Sequence, residues 1–357
     1  MKLSQKSSSK LRRILLPILA TSIVLLAVGL LARNGESTQL PFIIISDGDH
    51  GAVRCMTFSP NSDFLVTAGA EGNIKFWEAV NGSRSEIWLA FTDNVASIAL
   101  SADGDLLTAC KSDGNVISWD LSTKKKHEHR VSQESGVVYL AMLSPRGKFM
   151  ATLTRRPRCG TEVVSILKVK SNEINKSFST NRSVRCSSFS HDERTLAFGS
   201  TRDKGDIEIT LVDLTSGEVQ ESIKLSGGYP ESMAFSPNGE LLACGLSDGT
   251  VHVWELPKHQ LRITLSFHND AVTCLAFTPD SRILAIGSMD KSASICDIST
   301  GVRLASLPHP AYLSSLAISP DGFRLATASG PYGAFFWHFA EVRVWDISQL
   351  VETITTR

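Results

Sequence analysis

Residues 231–256 read ESMAFSPNGELLACGLSDGTVHVWEL, and this stretch decides the fold class. Residues 231–235 form an apolar run that ends at a Ser-Pro-Asn-Gly turn, and residues 240–245 form a second run. Residues 250–256 alternate apolar and polar side chains after a Ser-Asp-Gly turn, and a fourth run follows at 260–265. Short alternating runs between such turns predict antiparallel β-strands. A sheet of four short strands leaves apolar faces uncovered on both sides, so it is stable only between neighbouring copies.

The same phrase of an apolar run, a hydroxyl residue and a polar turn occurs seven times along the chain, at intervals of 41 to 46 residues. The hydroxyl residues that mark the seven phrases are Ser59, Ser101, Ser144, Ser190, Ser236, Thr278 and Ser319. A period of this length built from short strands is typical of β-propellers, in which each repeat forms one blade. We therefore predict an all-β fold, a seven-bladed β-propeller of four-stranded antiparallel blades.

Three positions within the repeats resemble the WD-repeat (WD40) family. The third strand ends in Trp119-Asp120 and Trp345-Asp346, relaxed to Trp77-Glu78 and Trp254-Glu255. Histidines before the first strand and aspartates in the turn after the second strand are His50, His268, His309, Asp113, Asp248 and Asp290. The resemblance covers about residues 38–347. It implies that these histidine, aspartate and tryptophan side chains are structural and hydrogen-bond within a blade. The resemblance predicts the fold but not the function, because propellers have many different functions.

The last repeat supplies three strands, which leaves one position open in its blade. Residues 39–45 precede the first repeat and have no blade of their own, so we predict that they form the outer strand of the last blade. This closure joins the two ends of the chain in one sheet and removes exposed inner edges. The alternative is that residues 351–354 fill the same place.

An uncharged apolar segment of 19 residues, 14–32, follows a basic stretch that includes Arg12 and Arg13. As a helix it would be about 28 Å long, close to the thickness of a membrane core. We predict a basic cytoplasmic tail at 1–13, a transmembrane signal anchor at 14–32, a linker at 33–37, the propeller at 38–350 and a C-terminal tail at 351–357. The positive flank predicts a single-pass protein with its propeller on the extracytoplasmic side. The alternative is a cleaved signal peptide and a secreted or periplasmic protein.

Composition and motifs exclude several function classes. Lysine plus arginine and aspartate plus glutamate each total 36, and this neutral balance argues against a nucleic-acid partner. Phosphate-binding glycine loops are absent from the sequence, and we predict no cofactor, no metal and no small-molecule substrate. Three of the seven cysteines, Cys55, Cys186 and Cys274, occupy one position in different repeats, which favours buried thiols over a disulfide framework.

Insertions mark one end of the propeller. Repeats 3, 4 and 7 contain extra residues, all between the second and third strands, so the three insertions share one face. The candidate partner-binding residues in these insertions are Arg155, Arg156, Arg158, Phe335, Phe336 and Trp337. Exposed arginine and aromatic side chains are enriched at protein interfaces. The alternatives are a solvated loop for the arginines, and packing over the channel mouth or extension of a hairpin for the aromatic residues.

Two function classes remain. The first is a non-enzymatic, membrane-tethered protein-interaction scaffold that binds partners through the face with the insertions. The second is a propeller hydrolase or lyase with a site at the central channel. The second requires acidic side chains that converge on the channel, and the inner strands, such as 53–56 and 272–275, contain few carboxylates. The sequence therefore favours the scaffold.

Overall fold

The computed structural model describes residues 40–355 apart from 46–51, 112, 131–136, 156–161, 170–172, 203–204 and 331–339, together with Leu26 and Ala27. Seven antiparallel sheets form within these residues, one for each repeat. This agrees with the predicted number of blades and with four strands in each blade.

The strands of blades 1 to 4 follow one another in the chain. Blade 1 contains β3 (Val53–Phe58), β4 (Phe64–Gly69), β5 (Asn73–Glu78) and β6 (Arg84–Leu89). Blade 2 contains β7 (Ser97–Leu100), β8 (Leu106–Cys110), β9 (Asn115–Asp120) and β10 (Lys126–Arg130). Blade 3 contains β11 (Val137–Leu143), β12 (Phe149–Arg155), β13 (Glu162–Lys168) and β14 (Glu173–Thr180). Blade 4 contains β15 (Ser183–Phe189), β16 (Thr195–Thr201), β17 (Ile207–Asp213) and β18 (Val219–Leu225).

Blades 5 to 7 complete the ring. Blade 5 contains β19 (Pro230–Phe235), β20 (Leu241–Leu246), β21 (Val251–Glu255) and β22 (Gln260–Leu265), with a short 3₁₀ helix, Leu256–Lys258, before β22. Blade 6 contains β23 (Val272–Phe277), β24 (Ile283–Ser288), β25 (Ser292–Asp297) and β26 (Arg303–Pro308). Blade 7 contains β27 (Tyr312–Ile318), β28 (Arg324–Gly330), β29 (Glu341–Asp346) and β2 (Phe42–Ile45), which β1 (Leu26–Ala27) extends. The helix α1 (Ser348–Thr355) follows β29.

Neighbouring blades pack face to face around a centre that is lined by their first strands. Strand β15 contacts β19, β19 contacts β23, and β27 of blade 7 contacts β3 of blade 1, which closes the ring. Apolar side chains from facing blades form separate clusters; one of them joins Ile45 and Val344 of blade 7 to Phe58 and Trp77 of blade 1. This is the stacking that the uncovered faces of a single four-stranded sheet require.

The N-terminal strand occupies the outer position of blade 7. Strand β2 pairs antiparallel with β29, with Phe42 opposite Trp345 and Ile45 opposite Val342. The alternative for residues 351–354 is wrong, because they belong to α1. Val351 and Ile354 of this helix pack against the cluster between blades 6 and 7. The predicted boundary at 350/351 therefore falls within a helix that packs on the propeller. The sequence allows either element here, because the apolar spacing of Leu350, Val351 and Ile354 suits a helical face as well as a strand.

The predicted transmembrane segment falls almost entirely outside the described residues. The two that are described, Leu26 and Ala27, form strand β1 and pair with Ile43 and Phe42. At these two positions the structure has a strand where a helix was predicted, since the outer edge of β2 offers free backbone hydrogen-bonding groups. Among the described residues, no helix is long and apolar enough to cross a membrane.

Six of the seven cysteines are described, and all six are free thiols. Cys110, Cys186, Cys244 and Cys296 are buried, and Cys55 and Cys274 are half-buried. Burial raises the pKa of Cys55 to about 12, and that of Cys274 to about 12. Cys55 and Cys274 are therefore neutral packing residues near neutral pH.

Candidate protein-binding face

The antiparallel order of strands gives the propeller two distinct faces. The loop between the second and third strands lies at the same end of each blade as the connection to the next blade, and we call this end the insertion face. The turns between first and second strands and between third and fourth strands lie at the opposite end, which we call the turn face. Strand β2 enters blade 7 from the turn face, and α1 starts there.

Part of the insertion in blade 3, and part of that in blade 4, lengthens a hairpin. Strands β12 and β13 of blade 3, and β16 and β17 of blade 4, contain seven residues each, whereas β20 and β21 of blade 5 contain six and five. The remaining extra residues of blades 3, 4 and 7 connect β12 to β13, β16 to β17 and β28 to β29. Each of these connections joins a second strand to a third, and the ends of the strands that it joins lie at the insertion face.

Arg155 lies at the end of β12 and pairs with a buried carboxylate. Its Nη2 atom is 2.8 Å from Oε1 of Glu162, and the two side chains are 61% and 4% exposed respectively. The other oxygen of Glu162 accepts a hydrogen bond of 2.7 Å from the backbone N–H of Val184 in blade 4. Arg155 therefore helps to hold the junction of blades 3 and 4, in addition to any contact with a partner.

The other candidate binding residues lie outside the described residues. They are Arg156, Arg158, Phe335, Phe336 and Trp337. Their assignment to a partner stays a prediction.

The blade 4 insertion is fixed by an arginine that the sequence did not single out. Arg182 donates hydrogen bonds to the carbonyl oxygen of Asp206 at 3.1 Å and to its carboxylate at 3.0 Å, and it pairs with Glu208 at 2.8 Å. Arg202 in the same loop donates to the side chain of Asn181 at 3.1 Å. The bases of both insertions are thus tied to the junction of blades 3 and 4. Sequence spacing gives no signal for these pairs, because they depend on how two blades meet.

Two of the predicted structural tryptophans bond to a threonine in their own blade. Trp77 Nε1 donates to Thr67 at 2.8 Å, and Trp345 Nε1 donates to Thr327 at 2.9 Å. Thr327 also bonds at 2.8 Å to Nε2 of His309, whose Nδ1 lies 3.0 Å from the carbonyl oxygen of Leu307. Burial first, and then the charge of Arg343, lower the pKa of His309 to about 4. The imidazole is therefore neutral, donates from Nδ1 and accepts from the threonine hydroxyl group.

Blade 6 retains only part of this network. His268 Nδ1 lies 2.9 Å from a carboxylate oxygen of Asp290, as the resemblance implies. The position of Thr327 is occupied in blade 6 by Ile286, and the position of Trp345 by Cys296. As a result Nε2 of His268 is buried without a hydrogen-bond partner in the described part of the chain. Burial is also the main cause of the lowered pKa of His268.

The remaining predicted structural residues occupy blade cores or turns. Trp119 and Trp254 are buried. Asp248 accepts a hydrogen bond of 3.0 Å from the N–H of Gly228, and Asp113 accepts one of 3.1 Å from the N–H of Asn115. His50 lies outside the described residues.

Polar side chains at the inner strands bond between blades. Thr273 donates to the carbonyl oxygen of Leu313 at 2.7 Å, and Ser314 donates to that of Val53 at 2.7 Å. Within the described ranges, no group of three or more histidine, cysteine, aspartate or glutamate side chains could hold a metal ion. These inner polar residues therefore join neighbouring blades.

Comparisons with known proteins identify the repeats. The profile of the "Anaphase-promoting complex subunit 4 WD40 domain" matches residues 233–319. The profile of the "WD domain, G-beta repeat" matches residues 43–78 and 86–120. Profiles of WD40 repeats thus match parts of this seven-bladed propeller, in blades 1 and 2 and from blade 5 into blade 7, as the resemblance predicted.

Three proteins with different names are similar in sequence to parts of this chain. Periodic tryptophan protein 2 of Arabidopsis thaliana is 22% identical over 74% of this chain and 24% of its own length. Echinoderm microtubule-associated protein-like 2 of Mus musculus is 25% identical over 80% of this chain and 43% of its own length. Small ribosomal subunit protein RACK1y of Oryza sativa subsp. japonica is 32% identical over 35% of each chain. The chain spans less than half the length of each of these relatives.

Proposed function

We propose that this WD40-repeat propeller is a non-enzymatic scaffold that binds protein partners through its insertion face. The observation that carries the proposal is that the insertions of blades 3, 4 and 7 all fall between a second and a third strand and therefore share this face. Loops that a rigid frame positions are where binding residues concentrate. The ties from Glu162 to Val184 and from Arg182 to Asp206 supply such a frame at blades 3 and 4.

The residue types in the insertions support a protein partner. Arg156 and Arg158 in one loop, and Phe335, Phe336 and Trp337 in another, are of the kinds that dominate binding energy at protein interfaces. Two similar proteins bear the names of a microtubule-associated protein and of a small ribosomal subunit protein, and both names refer to larger protein assemblies.

The test compares matched variants in affinity purification of the full chain followed by mass spectrometry. One variant carries Arg156→Glu and Arg158→Glu, and a second replaces Phe335, Phe336 and Trp337 by Ser. Arg155 is left intact, because its partner Glu162 is buried and its loss would weaken the fold. The control replaces Val80 and Val302, which are 65% and 56% exposed on the turn face, by Ser.

We expect the insertion-face variants to lose the proteins that the wild type and the control retain. The melting temperatures of all variants should stay close to that of the wild type, which separates loss of binding from loss of folding. Equal recovery of the same proteins by all variants would reject the insertion face as the binding surface.

We also propose that residues 14–32 tether the propeller to a membrane, with residues 1–13 in the cytoplasm and the propeller on the extracytoplasmic side. The support is the length of the apolar run and its basic flank. A membrane-spanning helix requires the pairing of Leu26 and Ala27 with β2 to open. Because β2 enters blade 7 from the turn face, a short linker would hold that face near the bilayer.

The tether is tested by alkaline carbonate extraction of membranes that contain the full chain or a variant without residues 1–32. We expect the full chain to remain in the pellet and the truncated chain to be released. Recovery of the full-length chain in the supernatant would exclude a transmembrane tether. N-terminal sequencing of the pelleted protein distinguishes a retained anchor from a cleaved signal peptide.

A further inference from the structure

Seven equivalent turns on the turn face share one unusual backbone conformation. The residue three places after each hydroxyl marker has a positive φ, between 56° and 80°. Four of these positions are glycines, Gly104, Gly147, Gly239 and Gly322, and three are Ser62, Glu193 and Ser281. A side chain in this conformation costs about 1 kcal/mol or more, so the three that carry one need an explanation.

Each of the three side chains bonds to the turn of the preceding blade. Ser62 accepts a hydrogen bond from the N–H of Asp321 at 3.1 Å, and Ser281 accepts one from the N–H of Asn238 at 3.2 Å. Glu193 accepts one from the N–H of Arg146 at 3.1 Å. These bridges join blades 7 and 1, 5 and 6, and 3 and 4.

The junction of blades 1 and 2 has a glycine at this position and no such bridge. A Cβ atom on Gly104 would meet only the ring of Pro60, at 3.6 Å. The N–H of Asn61, equivalent to the N–H groups that donate at the bridged junctions, has no acceptor within the described residues. A cleft of about 290 Å³ lies here, between the first turns of the two blades.

The cleft has an apolar floor and a polar rim. The side chains of its floor are Pro60, Phe64, Val66, Phe76, Leu100 and Leu121. Ser59, Asn61 and Asp103 line the rim, and Asp63 is bonded to Asn61 beside it. On the hairpin between β9 and β10 of blade 2, Lys124 lies 2.8 Å from Glu86 and Lys126 lies 2.7 Å from Glu128.

We propose that this cleft binds a peptide segment of a protein partner that inserts one large apolar side chain and carries lysine or arginine on either side of it. The volume is at the lower limit for a small-molecule site but suffices for one aromatic side chain. The rim carboxylates attract a basic flank, and Asn61 N–H can donate to a backbone carbonyl oxygen of the peptide. The site lies on the turn face and is independent of the insertion face.

Equivalent positions in other blades indicate which substitution should close the cleft. Ser62 and Ser281 show that serine is accepted at this position, so Gly104→Ser should fold and place its hydroxyl group against Asn61 N–H. Asp103→Asn removes a rim charge but keeps the turn, because Asn61 and Asn238 occupy the same position in blades 1 and 5. The matched controls in blade 7 are Gly322→Ser and Asp321→Asn.

The probe is a short fluorescein-labelled peptide with one central tryptophan between lysine pairs, and fluorescence anisotropy measures its binding to the full chain. We expect saturable binding that Gly104→Ser weakens at least about tenfold and that Asp103→Asn weakens about two- to fivefold. The two blade 7 controls should bind like the wild type. Peptides with alanine in place of tryptophan, or glutamate in place of lysine, should bind more weakly than the original probe.

Several outcomes would overturn the proposal. They are absence of saturable binding to the wild type, equal affinity of wild type and Gly104→Ser, and equal affinity for the alanine peptide. Thermal unfolding of Gly104→Ser at or above the wild-type temperature shows that a loss of binding does not come from misfolding.

Discussion

Glu193 in blade 4 accepts a hydrogen bond from the hydroxyl group of Ser144 in blade 3. Both residues are buried, and the same carboxylate oxygen of Glu193 also accepts from the N–H of Arg146. Glu193 has a φ of 56°, where glycine stands in four of the other equivalent turns. The cost of the backbone conformation is therefore offset by two hydrogen bonds across a blade junction.

This arrangement predicts an order of stability among variants of Glu193. Glu193→Ala keeps the backbone strain and loses both bonds, so we expect it to lower the free energy of unfolding by about 2–3 kcal/mol. Glu193→Gly also loses the bonds but relieves the strain, and it should be about 1 kcal/mol more stable than the alanine variant. Urea unfolding measures both, and an alanine variant as stable as the glycine variant would contradict this account.

The neutral state of His309 predicts a loss of stability in acid. Its pKa is about 4 in the folded protein and about 6.5 in the unfolded chain. Between these values the unfolded state binds a proton that the folded state does not, so stability is complete above about pH 6.5 and falls as the pH approaches 4. The contribution is at most about 3 kcal/mol. We expect His309→Gln to be less stable than the wild type at pH 7.5 but to depend less on pH between 6.5 and 4, as measured by chemical unfolding.

The buried Nε2 atom of His268 predicts an unusually mild substitution. Ile286→Thr places a hydroxyl group where blade 7 has Thr327, within reach of the unpartnered nitrogen. We expect it to destabilise the protein by about 1–2 kcal/mol less than Ile295→Thr, the same change at an equally buried position. Equal losses in thermal or urea unfolding would mean that the histidine does not gain the bond.

Closure by β2 predicts that a charge at its buried end opens the ring. Ile45 is 2% exposed in the cluster between blades 7 and 1, so Ile45→Asp should cost more than about 3 kcal/mol. Val80→Asp, at a position that is 65% exposed, should change stability by less than about 0.5 kcal/mol. Urea unfolding measures both effects, and limited proteolysis should cut Ile45→Asp near blades 1 and 7 first. Resistance equal to that of the wild type would show that β2 is dispensable.

The sequence predicts the blades well because each repeat contains its own strand and turn signals. The αL position after the marker is visible at Gly104, Gly147, Gly239 and Gly322, since glycine is the usual residue for a positive φ. The sequence does not reveal this position at Ser62, Glu193 and Ser281. There a residue with a side chain takes the positive φ, and that side chain bonds to the neighbouring blade. Contacts between blades are not encoded by the local period, and the bridges and the cleft were therefore not predicted.

In the candidate binding face too, some features follow from the local sequence and others depend on contacts between blades. The place of the insertions follows from counting residues between the Ser or Thr marker and the third-strand tryptophan position. The pairing of Arg155 with a buried Glu162 does not follow from the sequence, because the position of that carboxylate depends on its hydrogen bond to Val184 of the next blade. A charged loop residue thus has a structural partner that only the assembled ring reveals.

The pairing of β2 with β29 also determines when the protein can finish folding during translation. Strand β2 is synthesised before blade 1, and its partner β29 only after all the strands of blades 1 to 6. Until Glu341–Asp346 has left the ribosome, blades 1 to 6 can stack only as an open arc with uncovered sides, a state that favours aggregation. A nonsense mutation anywhere before residue 341 should therefore yield insoluble product, however many complete blades precede it.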